Sequence, residues 1–311
     1  MNIFINVCGE SYRLSAFFSE KTDEEIPVMK KIVALLLTLV LLAGTALSLA
    51  SCGEKKIVVA IPNDTTNEAR ALLLLEAEGL ITLDKNAGIT ATVRDIVSNP
   101  YGIEFREVEA AQLPRVLSDV DFAVINSNYA IEAGINPAAD ALGVEGSFSA
   151  YANILAVKSG SESDPRTKAL VAALSSERVK NFIQNKYNGA VLSVVDNPGD
   201  GYDATVDYDA LKGTVIRVAA SATPHAEILE EAKAILAARG VTLQITVYTD
   251  YVQPNTAVES GAEFANYFQH TPYLDDFNKE NGTHIVSVLP VHVEPMGIYS
   301  KTHTTLDDIR K

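Results

Sequence analysis

From residue 56 onward, short apolar runs alternate with longer amphipathic ones. Residues 56–61 (KIVVAI) are apolar and β-branched, and Pro62-Asn63-Asp64 follows as a turn signal, which predicts a strand and its stop. Thr65 and Glu68 match a capping box, so a helix is expected from about residue 66, with Ala69, Leu72, Leu73 and Glu76 at helical spacing and Gly79 at its end. Residues 103–108 and 122–126 read as strands, with a helix or turn at 110–117 between them. Residues 153–157 (NILAV) read as another strand, and 166–187 as two short helices carried by Leu170, Val171, Leu174 and by Val179, Phe182, Ile183. The Gly-, Asp- and Pro-bearing stretch 196–212 (DNPGDGYDATVDYDALK) breaks the pattern as a linker. Beyond it come a strand at 214–220, a helix from about 225 to 238 stopped by Gly240, strands at 242–248, 285–289 and 296–300, and a turn at 305–308. Strands and helices alternating on both sides of a linker predict an α/β fold of two lobes with a cleft between them.

One stretch departs from a single periodicity. In 250–274 (DYVQPNTAVESGAEFANYFQHTPYL), Tyr251, Phe264, Tyr267, Phe268 and Tyr273 crowd together with Asn255, Asn266, Gln269 and His270. Mixed rings and amides suit the wall of a small-molecule cleft; they equally suit an aromatic-rich core segment with a satisfied histidine. The spacing lets Phe268, His270 and Tyr273 face one pocket from a loop leaving a short strand or turn. Asn67 and Arg70, three apart, share a face of the first helical turns. A helix N-terminus attracts anions, and an arginine beside it can grip a carboxylate through two parallel hydrogen bonds. Asn126-Ser127-Asn128 falls at the carboxyl end of a strand, where open α/β sheets bind ligands.

Composition narrows the setting. The chain has 311 residues, 47% hydrophobic and 21% charged, an ordinary globular balance, and a formal net charge of −15. That charge argues against nucleic acid as a partner and against anionic membrane surfaces. Residues 29–52 (MKKIVALLLTLVLLAGTALSLASC) place Lys30 and Lys31 before an apolar run and small residues before Cys52. This is a secretory signal, and its end resembles the lipobox of bacterial lipoproteins, in which the cysteine is lipidated. The expectation is a domain outside the cytoplasm, on the extracytoplasmic face, held to the cell membrane through Cys52. Residues 1–28 carry Glu20, Asp23, Glu24 and Glu25 ahead of that signal, so they read as an upstream extension, with Met29 as the start. Cys8 leaves with that extension and Cys52 is acylated, so no thiol remains for a disulfide or a metal.

Chemistry other than binding has little support. Ser221, His225, His270 and Asp275 could be assembled into a hydrolase triad on paper, yet no G-x-S-x-G elbow accompanies them, and the chain does not read as an enzyme. His225, His270, His284, His292 and His303 read as scattered, so no metal site is expected. Asp196, Asp200, Gly201 and Asp207 loosely echo a calcium loop, but Pro198 and Asp207 stand where such a loop needs other residues. No cofactor is implied.

The wording of several blocks closely resembles the methionine-binding lipoproteins of bacterial ABC importers. They are DYVQPN (250–255), FQHTPYL (268–274), EPMGIYSK (294–301), VAIPND (59–64), RALLLL (70–75), EAAQLPR (109–115) and AVINSNYA (123–130), and the resemblance runs from residue 57 to 311. It implies a two-lobed periplasmic-binding-protein fold of the second type. It also implies capture of methionine by lobe closure and delivery to a permease and its ATPase, with the receptor acting as a monomer. By the same resemblance Arg70 holds the α-carboxylate with Asn67 beside it, Asn126 serves the amino or carboxylate end, and Tyr251, Phe268, His270 and Tyr273 wall the side-chain pocket. A metal ion, another amino acid or a short peptide is the alternative ligand. The order of the blocks departs from the family's. The part resembling its first half is 214–311 and the part resembling its second half is 57–195, which reads as a circular permutation joined by the 196–212 linker. Carried over, one lobe is 57–152 with 298–311, the other 153–297, and crossovers lie near 153–156 and 294–298.

Overall fold

The computed structural model describes residues 3–7, 10–14, 56–146 and 151–311. The expected signal segment and Cys52 lie outside the described residues. Two units are distinguished, Met1–Lys55 and Lys56–Lys311. Within the first, Ile3–Val7 pairs antiparallel with Glu10–Leu14 as a hairpin. No helix among the described residues is long and apolar enough to cross a membrane.

The second unit is mixed α/β and is built on two sheets. The five-stranded sheet runs Glu104–Val108, Val58–Pro62, Phe122–Ile125, Gly297–Tyr299, Gly143–Val144; the first three strands are parallel, and Gly297–Tyr299 runs antiparallel to both of its neighbours. Its central strands, Val58–Pro62 and Phe122–Ile125, read as nearly continuous apolar runs because both faces are covered, whereas the edge strand Glu104–Val108 is largely exposed. Val59, Ile61, Phe122, Val124 and Ile298 enter one core, while Ala60, Ala123, Ile125 and Tyr299 enter the core on the opposite face. That split is the period-two alternation of a strand.

The six-stranded sheet runs Leu192–Ser193, Ile285–Val293, Ala152–Lys158, Ala265–His270, Val215–Ala220, Thr242–Val247. Its largest core gathers Leu155, Val157, Ile216, Val218 and Tyr267 with Leu170, Val179, Ile183, Leu229 and Leu236 from the helices. The chain changes sheets twice, between Gly143–Val144 and Ala152–Lys158 and again between Ile285–Val293 and Gly297–Tyr299. Residues 153–156, expected at a crossover, therefore lie inside a strand of the six-stranded sheet.

Three local expectations are corrected. The first helix spans Thr65–Ala77, but its cap is Asp64, whose Oδ1 accepts from the Asn67 backbone at 3.0 Å. The predicted partner, Glu68, instead accepts from the Val93 backbone at 2.9 Å. A carboxylate already poised at the turn satisfies the free N–H groups without Thr65. Second, the strand expected at 285–289 continues to Val293. Pro290 is tolerated because the register shifts between Ser287 and Leu289 and between Pro290 and His292. Bulges are where a strand can hold a residue with no N–H. Third, Phe268, His270 and Tyr273 do not sit on a loop, and 250–274 is largely regular structure. It folds as a helix (Gln253–Ser260), a strand (Ala265–His270) and the start of a helix (Thr271–Asn281), with Pro254 and Pro272 each in a first helical turn. The 196–212 stretch carries no helix or strand. Its aspartates close turns, Asp203 on Thr205 at 2.7 Å and Asp207 on Asp209 at 3.1 Å, while Val206 and Leu211 tuck into the core.

Candidate functional site

Carboxyl ends of strands from both sheets meet at one cavity. Val58–Pro62 leads through Asp64 into the helix carrying Asn67 and Arg70; Phe122–Ile125 leads into Asn126; Ala265–His270 carries Phe268 and His270 and leads into Tyr273. All seven residues singled out from sequence, Asn67, Arg70, Asn126, Tyr251, Phe268, His270 and Tyr273, line this cavity. Ser127, Asn128, Asn153, Gln269 and Glu294 join them. Asn128 was present in the strand-end motif; Asn153 and Glu294 had no local signal. The cavity is tight, with about 20 Å³ of free volume, room for on the order of one water molecule.

Its polar rim is locked by side-chain pairs, some local and some distant in sequence. Asp64 Oδ1 accepts from Asn67 Nδ2 at 2.8 Å, and Asn67 Oδ1 accepts from Asn126 Nδ2 at 2.8 Å. This chain fixes the direction of the Asn126 amide and leaves its Oδ1 buried without a partner among the described residues. Asn128 Oδ1 accepts from the Tyr251 hydroxyl at 2.7 Å, and its Nδ2 is likewise buried and unpaired. Buried polar atoms are rarely left unsatisfied, because each costs about 1–3 kcal/mol. One free acceptor and one free donor at a cavity therefore mark where a polar ligand gains most.

Arg70 is 5% exposed and already engaged. Its Nε donates to Glu145 at 2.8 and 2.9 Å, its Nη2 to Glu145 Oε2 at 2.5 Å and to the Glu294 carbonyl at 2.8 Å. Tyr151 lies over the guanidinium, 4.6 Å from ring centroid to Cζ. The aromatic wall is continuous: Tyr251 is 5.9 Å from Phe268 and 5.8 Å from Tyr273, and Tyr273 is 6.3 Å from His270. His270 caps its helix, its Nδ1 accepting from the Tyr273 backbone at 3.2 Å. Burial, and then the nearby Arg70 charge, hold its pKa well below the ordinary histidine value. It is a neutral wall residue.

The other members of the aromatic–amide stretch serve the core. Asn255, Asn266 and Gln269 bond one another at 2.7–3.0 Å as a closed buried set, and only Gln269 reaches the cavity. Phe264 lies under the Arg166 guanidinium at 4.1 Å. Tyr267 is wholly buried, its hydroxyl bonded to His292 Nδ1. The histidines are also less scattered than the sequence suggested. His225 Nε2, His292 Nε2 and Glu294 Oε1 lie within 4.8 Å of one another behind the cavity.

The profile of the NlpA lipoprotein family matches residues 44–195 and 216–311. The membrane lipoprotein TpN32 of Treponema pallidum is 51% identical over 136 residues, 44% of this chain and 51% of that protein. The D-methionine-binding lipoprotein MetQ of Yersinia pestis is 40% identical over 136 residues, 43% of this chain and 50% of that protein. The chain thus spans about half the length of the curated relatives it matches. A Burkholderia cenocepacia nutrient-binding protein solved with methionine bound is 48% identical over 43% of this chain and 57% of its own, with a TM-score of 0.42. With its profile matched over most of the sequence in two blocks, the chain belongs to the NlpA lipoprotein family.

Proposed function

We propose that the protein is an extracytoplasmic receptor, anchored by a lipid at Cys52, that captures methionine in this cavity and passes it to an ABC permease and its ATPase. The observation that carries the reading is the convergence of an aromatic wall and two unpaired amide atoms between the two sheets. Rings suit a thioether, each contact contributing about 0.3–1.5 kcal/mol. Arg70 and Asn67 take the α-carboxylate, Asn126 and Asn128 offer the free acceptor and donor, and Tyr251, Phe268, His270 and Tyr273 enclose the side chain. The relatives named for D-methionine favour the same ligand class. Room for one water is too little for an amino acid, so capture requires the walls to part and close again. Nothing in this task needs bond chemistry, and the protein works as a binder.

The order of the halves is best read as a circular permutation. The family match breaks between 195 and 216, over the irregular 196–212 stretch. Leu306 and Ile309 pack into the same core as Val59 and Ile61, so 57–62 and 306–309 share one sheet's packing. A thermal-unfolding panel of the twenty amino acids and divalent metals tests the assignment. A ligand at one hundred times its Kd stabilises by about 2.7 kcal/mol, so methionine should raise Tm by several degrees and the rest by less. A larger shift with zinc or with an unrelated amino acid would overturn the methionine reading.

A further inference from the structure

We propose that Glu294 is the counter-charge for the ligand's α-ammonium group, with His225 and His292 as the positioning residues that hold its carboxylate at the cavity. This rests on the amino-acid reading above and deepens it, because it makes the amino group the feature on which the ligand is selected.

Glu294 lies in the segment that returns the chain from the six-stranded sheet to the five-stranded one. It lines the cavity at 5% exposure, beside the unpaired amides of Asn126 and Asn128. Its Oε1 is 2.7 Å from His292 Nε2 and 3.3 Å from His225 Nε2. The tautomers follow from the second nitrogens. The Tyr267 phenol is held far above its ordinary pKa by burial, so it stays protonated and donates to His292 Nδ1. His292 Nε2 therefore carries the ring proton and donates to Glu294. His225 Nδ1 is buried with no partner among the described residues. A bare lone pair there costs less than a stranded N–H, so its proton sits on Nε2, shared between Asn153 Oδ1 at 2.9 Å and Glu294. Both rings are neutral, pushed down to about 3 by burial. The Asn128 backbone N–H donates to the same carboxylate.

This arrangement orients an anion without neutralising it. The cation beside it, Arg70, is matched by Glu145 in a pair that uses two of its nitrogens. Burial raises the Glu294 pKa, and Arg70 and the Asn128 backbone N–H act against that; in its ionised form Glu294 gives the cavity one surplus negative charge. In a desolvated site, that surplus favours a ligand with an ammonium group and disfavours one with only a carboxylate. The ionisable groups facing Glu294 are His225, His292, Arg70, Tyr187, Tyr251 and Tyr267. The phenols stay neutral, so the histidines and Arg70 set its behaviour.

The test is titration calorimetry on the full chain in detergent with methionine and with 4-(methylthio)butanoate, which lacks only the amino group. Wild type should bind methionine and bind the analogue at least tenfold more weakly. Glu294→Gln should weaken methionine by about 10–100-fold and leave the analogue unchanged or tighter, whereas Glu294→Asp should keep the discrimination. In His292→Gln the fall in methionine affinity on acidification should begin at higher pH than in wild type, with no such shift for the analogue. Equal losses for both ligands in Glu294→Gln, or none, would overturn the proposal. So would a stoichiometric metal in the purified protein that His292→Gln removes. Failure of wild type to bind either compound is a different result: it removes the amino-acid reading and this proposal with it.

Discussion

At the scale of single residues, the site is a set of side chains whose directions are fixed by hydrogen-bond partners both near and far in sequence. Asp64 shows how much rests on one carboxylate, since it caps the first helix and also holds the Asn67 amide that aims Asn126. Asp64→Ala should cost about 1 kcal/mol as a lost cap, or roughly 2–4 °C in Tm for a unit of this size. It should also weaken methionine by more than that stability loss alone explains. Asp64→Asn, which keeps an acceptor, should be close to wild type in Tm; equal effects of the two substitutions on affinity would contradict the positioning role. Asn67 and Arg70 were legible from sequence because helical spacing puts residues three apart on one face. Glu145 and Glu294 were not, because they meet Arg70 from 75 and 224 residues away and carry no local pattern.

At the scale of elements, periodicity located most strands and helices and failed where tertiary burial overrides it. The Ala265–His270 strand is buried along its whole length, so neither face meets solvent and no polar–apolar alternation marks it. Phe268, Gln269 and His270, around a shift of register, reach the cavity, while Tyr267 and Asn266 serve the core. Of that mixed composition, Phe268, Gln269 and His270 line the cavity, while Asn255 and Asn266 belong to a satisfied core network that Gln269 joins. The strand ending at Val293 was cut short in prediction because Pro290 argues against a ladder; two register shifts absorb it and deliver Glu294 to the site.

At the scale of the whole molecule, a buried histidine pair ties stability to pH. His225 and His292 are pushed down to about 3, against about 6.5 in an unfolded chain. Between those values the unfolded state binds more protons, so stability falls as pH drops, by up to about 1.4 kcal/mol per pH unit for each histidine. Glu294, raised by burial, acts in the opposite sense and offsets part of that slope above its unfolded value. Urea midpoints should therefore decline from pH 7 to pH 4.5, and His292→Gln should flatten the decline; parallel profiles would refute the coupling. The α/β class and the cleft were legible in sequence. The histidine cluster was not, because it joins a helical turn at 225 to a strand at 292. The central claim is that this cavity captures methionine, and it is met most directly by calorimetry of L- and D-methionine into protein unfolded and refolded to strip bound ligand, with Arg70→Lys as the comparison. Lysine keeps a charge facing Glu145 but loses the planar fork. One-to-one binding by wild type, weakened about 10–100-fold in Arg70→Lys, is the predicted result. A well-folded protein that binds neither enantiomer, or binds equally with lysine in place, would contradict it.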